Sequence, residues 1–186
     1  MTARERILDT SYDLFSHRGV RGVGVEEVIA RAGVAKATLY RHFPSKDHLV
    51  VAFLERREQR WTRGWVEREA RQRGSTPEEQ LLAIFDAFDE WFHRNDFEAC
   101  SFINVLLELG PEHPAGDASV RHLENIRSIV SGLAEEAGLR DPEAFARSWH
   151  ILMKGSIISA AEGDVDAARR ARSMARLLIE DYRSLE

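Results

Sequence analysis

Apolar positions recur three and four apart along almost the whole 186-residue chain, punctuated by capping residues, glycines and prolines, and no alternation of period two persists beyond a few residues. The spacing therefore predicts helices throughout. The first carries Ile7, Leu8, Leu14 and Phe15 as its buried stripe, opens on a Thr2-x-x-Glu5 capping box and stops at Gly19. A short second helix begins near Gly24 with Glu26 and Glu27 in its first turn, buries Val25, Val28, Ile29 and Ala32, and ends in a tight turn at Gly33. A third, from Lys36 to Phe43, turns Leu39 and Phe43 toward a core. Pro44 stops it, and Ser45 caps a fourth that runs from Lys46 into the low seventies.

Beyond a break at Gly74-Ser75, the run Thr76, Pro77 and Glu79 has the form of a helix start, followed by a broad apolar stripe of Leu81, Leu82, Ile84, Phe85, Phe88, Trp91 and Phe92 reaching about Asn95. Further helices are expected at about Ser101 to Leu109, from Pro114 to Ala137 with Gly138 as its stop, from Asp141-Pro142, and from Asp164. The fold class is all-α: an amino-terminal three-helix helix-turn-helix domain over residues 1–48, then a helical bundle over 49–186, about nine helices in all.

The outer face of the third helix has the chemistry of a nucleic-acid reader. Lys36, Thr38, Tyr40, Arg41 and His42 combine cation, hydroxyl, phenol and imidazole, groups that suit phosphate oxygens and base edges in a major groove. Lys46, in the first turn of the next helix, sits where a phosphate would approach a helix amino terminus. On an ordinary surface the same Lys36 and Arg41 would simply be solvated charges. The helix-turn-helix from Val25 to Phe43, the preceding His17-Arg18-Gly19 and the LYRHF-x-SK-x-x-L run from Leu39 to Leu49 resemble the TetR family of transcriptional regulators over roughly residues 3–55. The CSFINVLLELG run from Cys100 to Gly110 also looks like one found in many of its members.

That resemblance implies DNA contacts at Lys36, Thr38, Tyr40, Arg41, His42 and Lys46. Tyr40, His42 and Lys46 are expected to grip phosphates. Lys36, Ala37, Thr38 and Arg41 are expected to vary with sequence preference, Arg41 toward guanine and Ala37 toward a thymine methyl. Two positions depart from the family pattern: Ala35 stands where Ser or Thr often caps the helix, a loss of about 1 kcal/mol, and Gly24 stands where a Thr commonly caps the second helix and touches phosphate.

Charge agrees once it is divided. The net charge of -5 splits into +3 over residues 1–57, with ten basic and seven acidic side chains, and -8 over residues 58–186, with sixteen and twenty-four. A basic head attracts phosphate while an acidic body repels it. Hydrophobic residues at 44% and charged residues at 31% describe a globular chain, and no apolar run reaches the ~18 residues of a membrane span. The start of the chain is charged and helical in pattern, without a signal-peptide form, and the single Cys100 allows no internal disulfide and no cysteine-based zinc site, so a cytoplasmic protein without metal or cofactor is expected.

For the body, the resemblance implies a small-molecule pocket and a homodimer. Trp61, Trp65, Phe88, Trp91, Phe92, Phe102 and Trp149 supply aromatic surface for a hydrophobic or aromatic effector, and Asn104 and His150 are polar residues inside apolar runs that need partners if buried. Plain core packing is the competing reading for each aromatic. The last two helices, through Ile151, Ile158, Ala171, Met174, Leu178 and Tyr182, have the small and apolar spacing of a four-helix dimer interface, the alternative being completion of the monomer core. The resemblance implies a dimer that binds a palindromic operator on double-stranded DNA, most often as a repressor released by its effector. The rival reading is a helical ligand-binding or interaction module that does not read DNA. Catalysis is not expected, since the seven histidines form no H-E-x-x-H and neither a phosphate loop nor a G-x-S-x-G elbow occurs.

Overall fold

In the computed structural model, which describes residues 1–183, the chain is all-α. The helices are α1 (Ala3–Arg18), α2 (Val25–Ala32), α3 (Lys36–His42), α4 (Lys46–Arg57), a π-helical stretch (Glu58–Glu67), α5 (Arg68–Arg73), α6 (Pro77–Phe92), α7 (Ser101–Leu109), α8 (Pro114–Glu136), α9 (Pro142–Ala161) and α10 (Ala167–Tyr182). Among the described residues extended pairing is limited to one isolated bridge, between Leu139 and Arg183. No helix among them is long and apolar enough to cross a membrane.

The chain forms two compact units, Met1–Gln59 with Cys100–Leu123, and Arg60–Ala99 with Glu124–Glu186. The expected boundary at residue 48 is not where the contacts divide, because α4 packs on α1 and α7 packs on α4.

In the first unit the caps are those the sequence implies. Thr2 and Glu5 form the reciprocal box on α1, and Ser45 Oγ accepts from the His48 amide at 3.3 Å to start α4. Gly33 adopts φ 62°, a left-handed conformation that lets α2 turn into α3 in three residues. Ile7, Leu14, Val23, Leu39, Leu49, Phe53 and Leu54 are almost fully buried, and Tyr12 and Phe15 each set an edge against the Phe53 ring, with centroids 5.5 Å apart. Arg56 pairs with Asp9, and Arg57 donates to Tyr12 Oη at 3.0 Å, so the end of α4 is held onto α1 by charge as well as by packing.

In the second unit α5 and α6 are joined by a three-residue turn and pack together, and α10 packs on both α6 and α9. Thr76 and Glu79 cap α6 reciprocally with Pro77 in its first turn, and Asp141 caps α9 by accepting from the Ala144 amide at 3.2 Å. The core is Leu81, Ile84, Phe85, Phe88, Val130, Leu133, Phe145, Trp149, Met153, Ile157 and Ile179.

Three local features depart from the pattern read along the chain. The helical run from Lys46 to Arg73 is continuous, but its middle is π-helical, and in the widened turn Trp61 and Trp65 lie side by side with centroids 5.8 Å apart. The stripe expected to reach Asn95 stops at Phe92, where Arg94 and Asp96 close an ion-paired turn at 2.6 Å. The last helix begins at Ala167 and not at Asp164, because the Asp164 carboxylate accepts from the Asp166 amide and pairs with Arg170, making a turn ahead of the helix.

Candidate nucleic-acid interface

Seven residues make α3, and two apolar anchors decide which way it faces. Leu39 is fully buried and Phe43, just past its end, is 3% exposed. The opposite side consequently points to solvent: Lys36, Ala37, Tyr40 and Arg41 are exposed, while Thr38 and His42 are half-buried at its edges. Ala35 begins the helix with no side-chain cap, its carbonyl accepting from the Thr38 and Leu39 amides, and Gly24 begins α2 equally uncapped.

The polar groups on this face are committed to different degrees. Arg41 makes no hydrogen bond or ion pair among the described residues and is free to meet a base edge or a phosphate. Lys36 Nζ lies 2.6 Å from Glu26 Oε1, and that hydrogen bond and the Glu26 charge raise the ammonium above its ordinary pKa. To reach DNA it must exchange Glu26 for a phosphate, which is easy between two exposed side chains. His42 borders a cavity of about 470 Å³ shared with Phe43, Ser45, His48, Glu55 and Pro114. Lys46 is the exception. Its ammonium donates to the Val20 carbonyl at 2.6 Å and is half-buried, so it holds the loop after α1 in addition to whatever phosphate contact it makes. Arg21, in that loop, was not singled out by sequence; it is exposed, and its guanidinium has no ion partner among the described residues. The only sequence cue was its place in a short glycine- and arginine-containing run, which does not reveal exposure.

The aromatic residues proposed for a ligand site fall into two groups. Trp61, Trp65, Phe88, Trp91 and Phe92 come together in the second unit, with Trp61 5.3 Å from Trp91, Trp65 stacked on Phe88 at 6.3 Å, and Phe97 added at 4.9 Å from Trp91. Trp149 joins them through Phe85, at 5.2 Å from it and with Phe85 6.1 Å from Phe88. Phe102 and half-buried Asn104 belong to the first unit, where the Phe102 ring lies 5.1 Å from that of His122. Inside the second unit several polar atoms are buried without a hydrogen-bond partner among the described residues: Trp149 Nε1, His150 Nδ1 and Thr62 Oγ1. Burial, and then the positive charges of Lys154 and Arg127, push the His150 pKa down to about 3, so the imidazole is neutral.

The residues proposed for a dimer interface divide by exposure. Ile151 is 70% exposed, Met174 55% and Ile158 41%, and Leu177 joins them at 65%. Leu178 and Tyr182 are half-buried, the latter edge-on to Phe145 at 5.4 Å, and Ala171 is buried beside a groove of about 300 Å³ between α9 and α10. One set of potential metal ligands converges among the described residues, Asp89, His93 and Asp166, but Arg169 already pairs with both carboxylates at 3.1 Å.

A short uncapped helix, anchored by two apolar residues behind it and carrying exposed positive charge in front, has the form of the reading element of a helix-turn-helix DNA-binding regulator. Residues 7–53 match the family described as bacterial regulatory proteins, tetR family. A crystal structure of a TetR-family transcriptional regulator from Streptomyces coelicolor superimposes with a TM-score of 0.88 at 27% identity, covering 98% of this chain and 96% of that one. An uncharacterized HTH-type transcriptional regulator of Mycobacterium tuberculosis is 28% identical over 158 residues, 84% of this chain and 74% of its own length. The HTH-type transcriptional repressor KstR of Rhodococcus jostii is 51% identical over 53 residues, 28% of this chain and 25% of that protein. The helix-turn-helix thus matches the TetR family of bacterial regulatory proteins, and the fold of the whole length is similar to that of a TetR-family transcriptional regulator.

Proposed function

We propose that this regulator is a homodimeric repressor that binds a palindromic operator and is released by a small hydrophobic or aromatic molecule. The observation that carries the DNA half of the reading is the outward face of α3, where Arg41 is exposed and has no partner among the described residues while Leu39 and Phe43 fix the helix from behind. In this reading Arg41, Lys36, Ala37 and Thr38 meet base edges, and Tyr40, His42 and Lys46 meet phosphates. Repression is supported by the similarity of the head to a protein named as a repressor. Exposed Ile151, Ile158, Met174 and Leu177 favour a dimer, since a cluster of this kind on two neighbouring helices loses its contact with water when a second copy covers it.

Two heads on a two-fold axis meet successive major grooves about 34 Å apart. An effector releases the operator only if it binds the non-binding conformation more tightly than the binding one. The aromatic group around Trp61 and Trp91, with unpaired Trp149 Nε1 and Thr62 Oγ1 in the same unit, favours an apolar compound that carries hydrogen-bonding atoms.

The test is selection of bound sequences from a random duplex pool at about 150 mM salt, where charge-driven association is suppressed. One enriched palindrome with half-sites a helical turn apart is the expected result, and a pool that stays random overturns the reading. A panel of apolar compounds titrated against tryptophan fluorescence tests the effector separately. Signals unchanged across the panel would remove that part.

A further inference from the structure

The loop between α1 and α2 is held from two sides by charged side chains, Lys46 of α4 and Glu108 of α7, the second of which has no part in the DNA-reading assignment. Glu108, half-buried on α7 and eighty-eight positions along the chain from Val20, accepts from the Val20 amide with Oε1 at 3.3 Å and from the Arg21 amide with Oε2 at 2.7 Å. On the other side Lys46 Nζ donates to the Val20 carbonyl at 2.6 Å. Three consecutive polar groups of an otherwise irregular backbone are thus satisfied by two ionised side chains, one from α4 and one from α7. Gly19 makes the approach possible. It sits at φ 72°, and a Cβ there would run into Glu108 Oε1, so any other residue would both strain the backbone and displace the carboxylate. Neighbouring Leu107 is 78% exposed, so on this turn of the helix it is the carboxylate and not the apolar side chain that engages the head.

We infer that Glu108 is a positioning residue for DNA binding: its carboxylate fixes the α1–α2 loop, and through it the start of α2 against which α3 is set. The inference rests on the reading of α3 as the DNA-contacting helix. A carboxylate bound to two backbone amides is a charge-assisted, bidentate contact, stronger than a neutral hydrogen bond and directional in a way that apolar packing is not. It also gives α7 a route into the reading unit that bypasses α4. A displacement of α7 that withdraws the carboxylate leaves two amides to water and frees the loop to move, while the apolar core of α1 to α4 stays intact.

The test uses the full-length protein with Glu108→Ala and Glu108→Gln. Amide hydrogen exchange at Val20 and Arg21 is measured without DNA, and affinity is measured for the duplex that the wild type selects. In E108A, exchange at these two amides should rise about tenfold or more, as expected for loss of a charge-assisted hydrogen bond, and operator affinity should fall by about tenfold. E108Q, which keeps an accepting oxygen without the charge, should recover part of both, and it remains informative if E108A fails to fold. Exchange unchanged at Val20 and Arg21, or an E108A protein that binds the operator as tightly as the wild type, would overturn the inference. A wild type that selects no duplex would instead overturn the DNA-binding reading, leaving the exchange rates to decide whether Glu108 holds the loop.

Discussion

Arg41 and Lys36 lie one turn or so apart on the same short helix, yet they start from different electrostatic states. Arg41 has no partner to give up among the described residues, whereas Lys36 must leave Glu26. Arg41 is therefore expected to carry more discrimination: Arg41→Ala should weaken operator binding by roughly 1–3 kcal/mol and relax preference at one base pair, read by comparing affinities across single-base variants of the selected site. A uniform loss across all variants would make Arg41 a phosphate contact instead. His150 tests the interior in the same way. Its folded pKa of about 3 lies below the ordinary value of 6.5, so the unfolded chain takes up a proton that the folded one refuses. Stability from this group is complete above about pH 6.5 and is lost as pH falls from there toward 3, with a limiting slope of roughly 1.4 kcal/mol per pH unit. His150→Leu should flatten denaturation midpoints over that window; an unchanged profile would show that another group governs it.

At the scale of the element, the recognition unit is built from weakly terminated helices. Both α2 and α3 begin without a side-chain cap, at Gly24 and Ala35, while α1, α4, α6 and α9 are each capped by a side chain. Gly24 has φ -84° and open space where a Cβ would be added. Gly24→Ser is accordingly expected to stabilise the first unit by a few tenths of a kcal/mol, which for a chain of this size is a rise of roughly 1 °C in Tm by calorimetry. No rise would mean that the serine hydroxyl fails to reach the amide of the second or third helical residue. Trp61 and Trp65, four residues apart in the π-helical stretch, both meet Phe88 and Trp91, a shared face that this spacing gives in a regular α-helix as well.

For the molecule as a whole, the division of charge and the exposed apolar surface of α9 and α10 point the same way. A head of +3 and a body of -8 orient approach to DNA, and Ile151, Ile158, Met174 and Leu177 lie on the body and not on the head. Met174→Glu should convert a dimer of twice the 21.2 kDa chain mass into a monomer at micromolar concentration in light scattering, and should reduce operator affinity far more than one lost contact would, since both half-sites must then be bound independently. A wild type that scatters as a monomer would remove the dimer from the proposal.

Helix positions, most caps and the face of α3 were legible along the chain because each depends on residues within one or two turns: Thr2 with Glu5, Ser45 with His48, Leu39 opposite Arg41. The local family resemblance extended the reading to the positions proposed to contact DNA for the same reason, since helix, turn and proposed contact residues are contiguous. What the tertiary structure alone decided was pairing at long range. That Lys46 is tied to Val20, that Glu108 reaches the same loop from α7, and that Phe102 belongs with His122 rather than with Trp61 and Trp91 all depend on which helices pack together. An amphipathic stripe specifies that a face is to be buried, but not against what, because apolar burial is non-directional and many partners satisfy it equally.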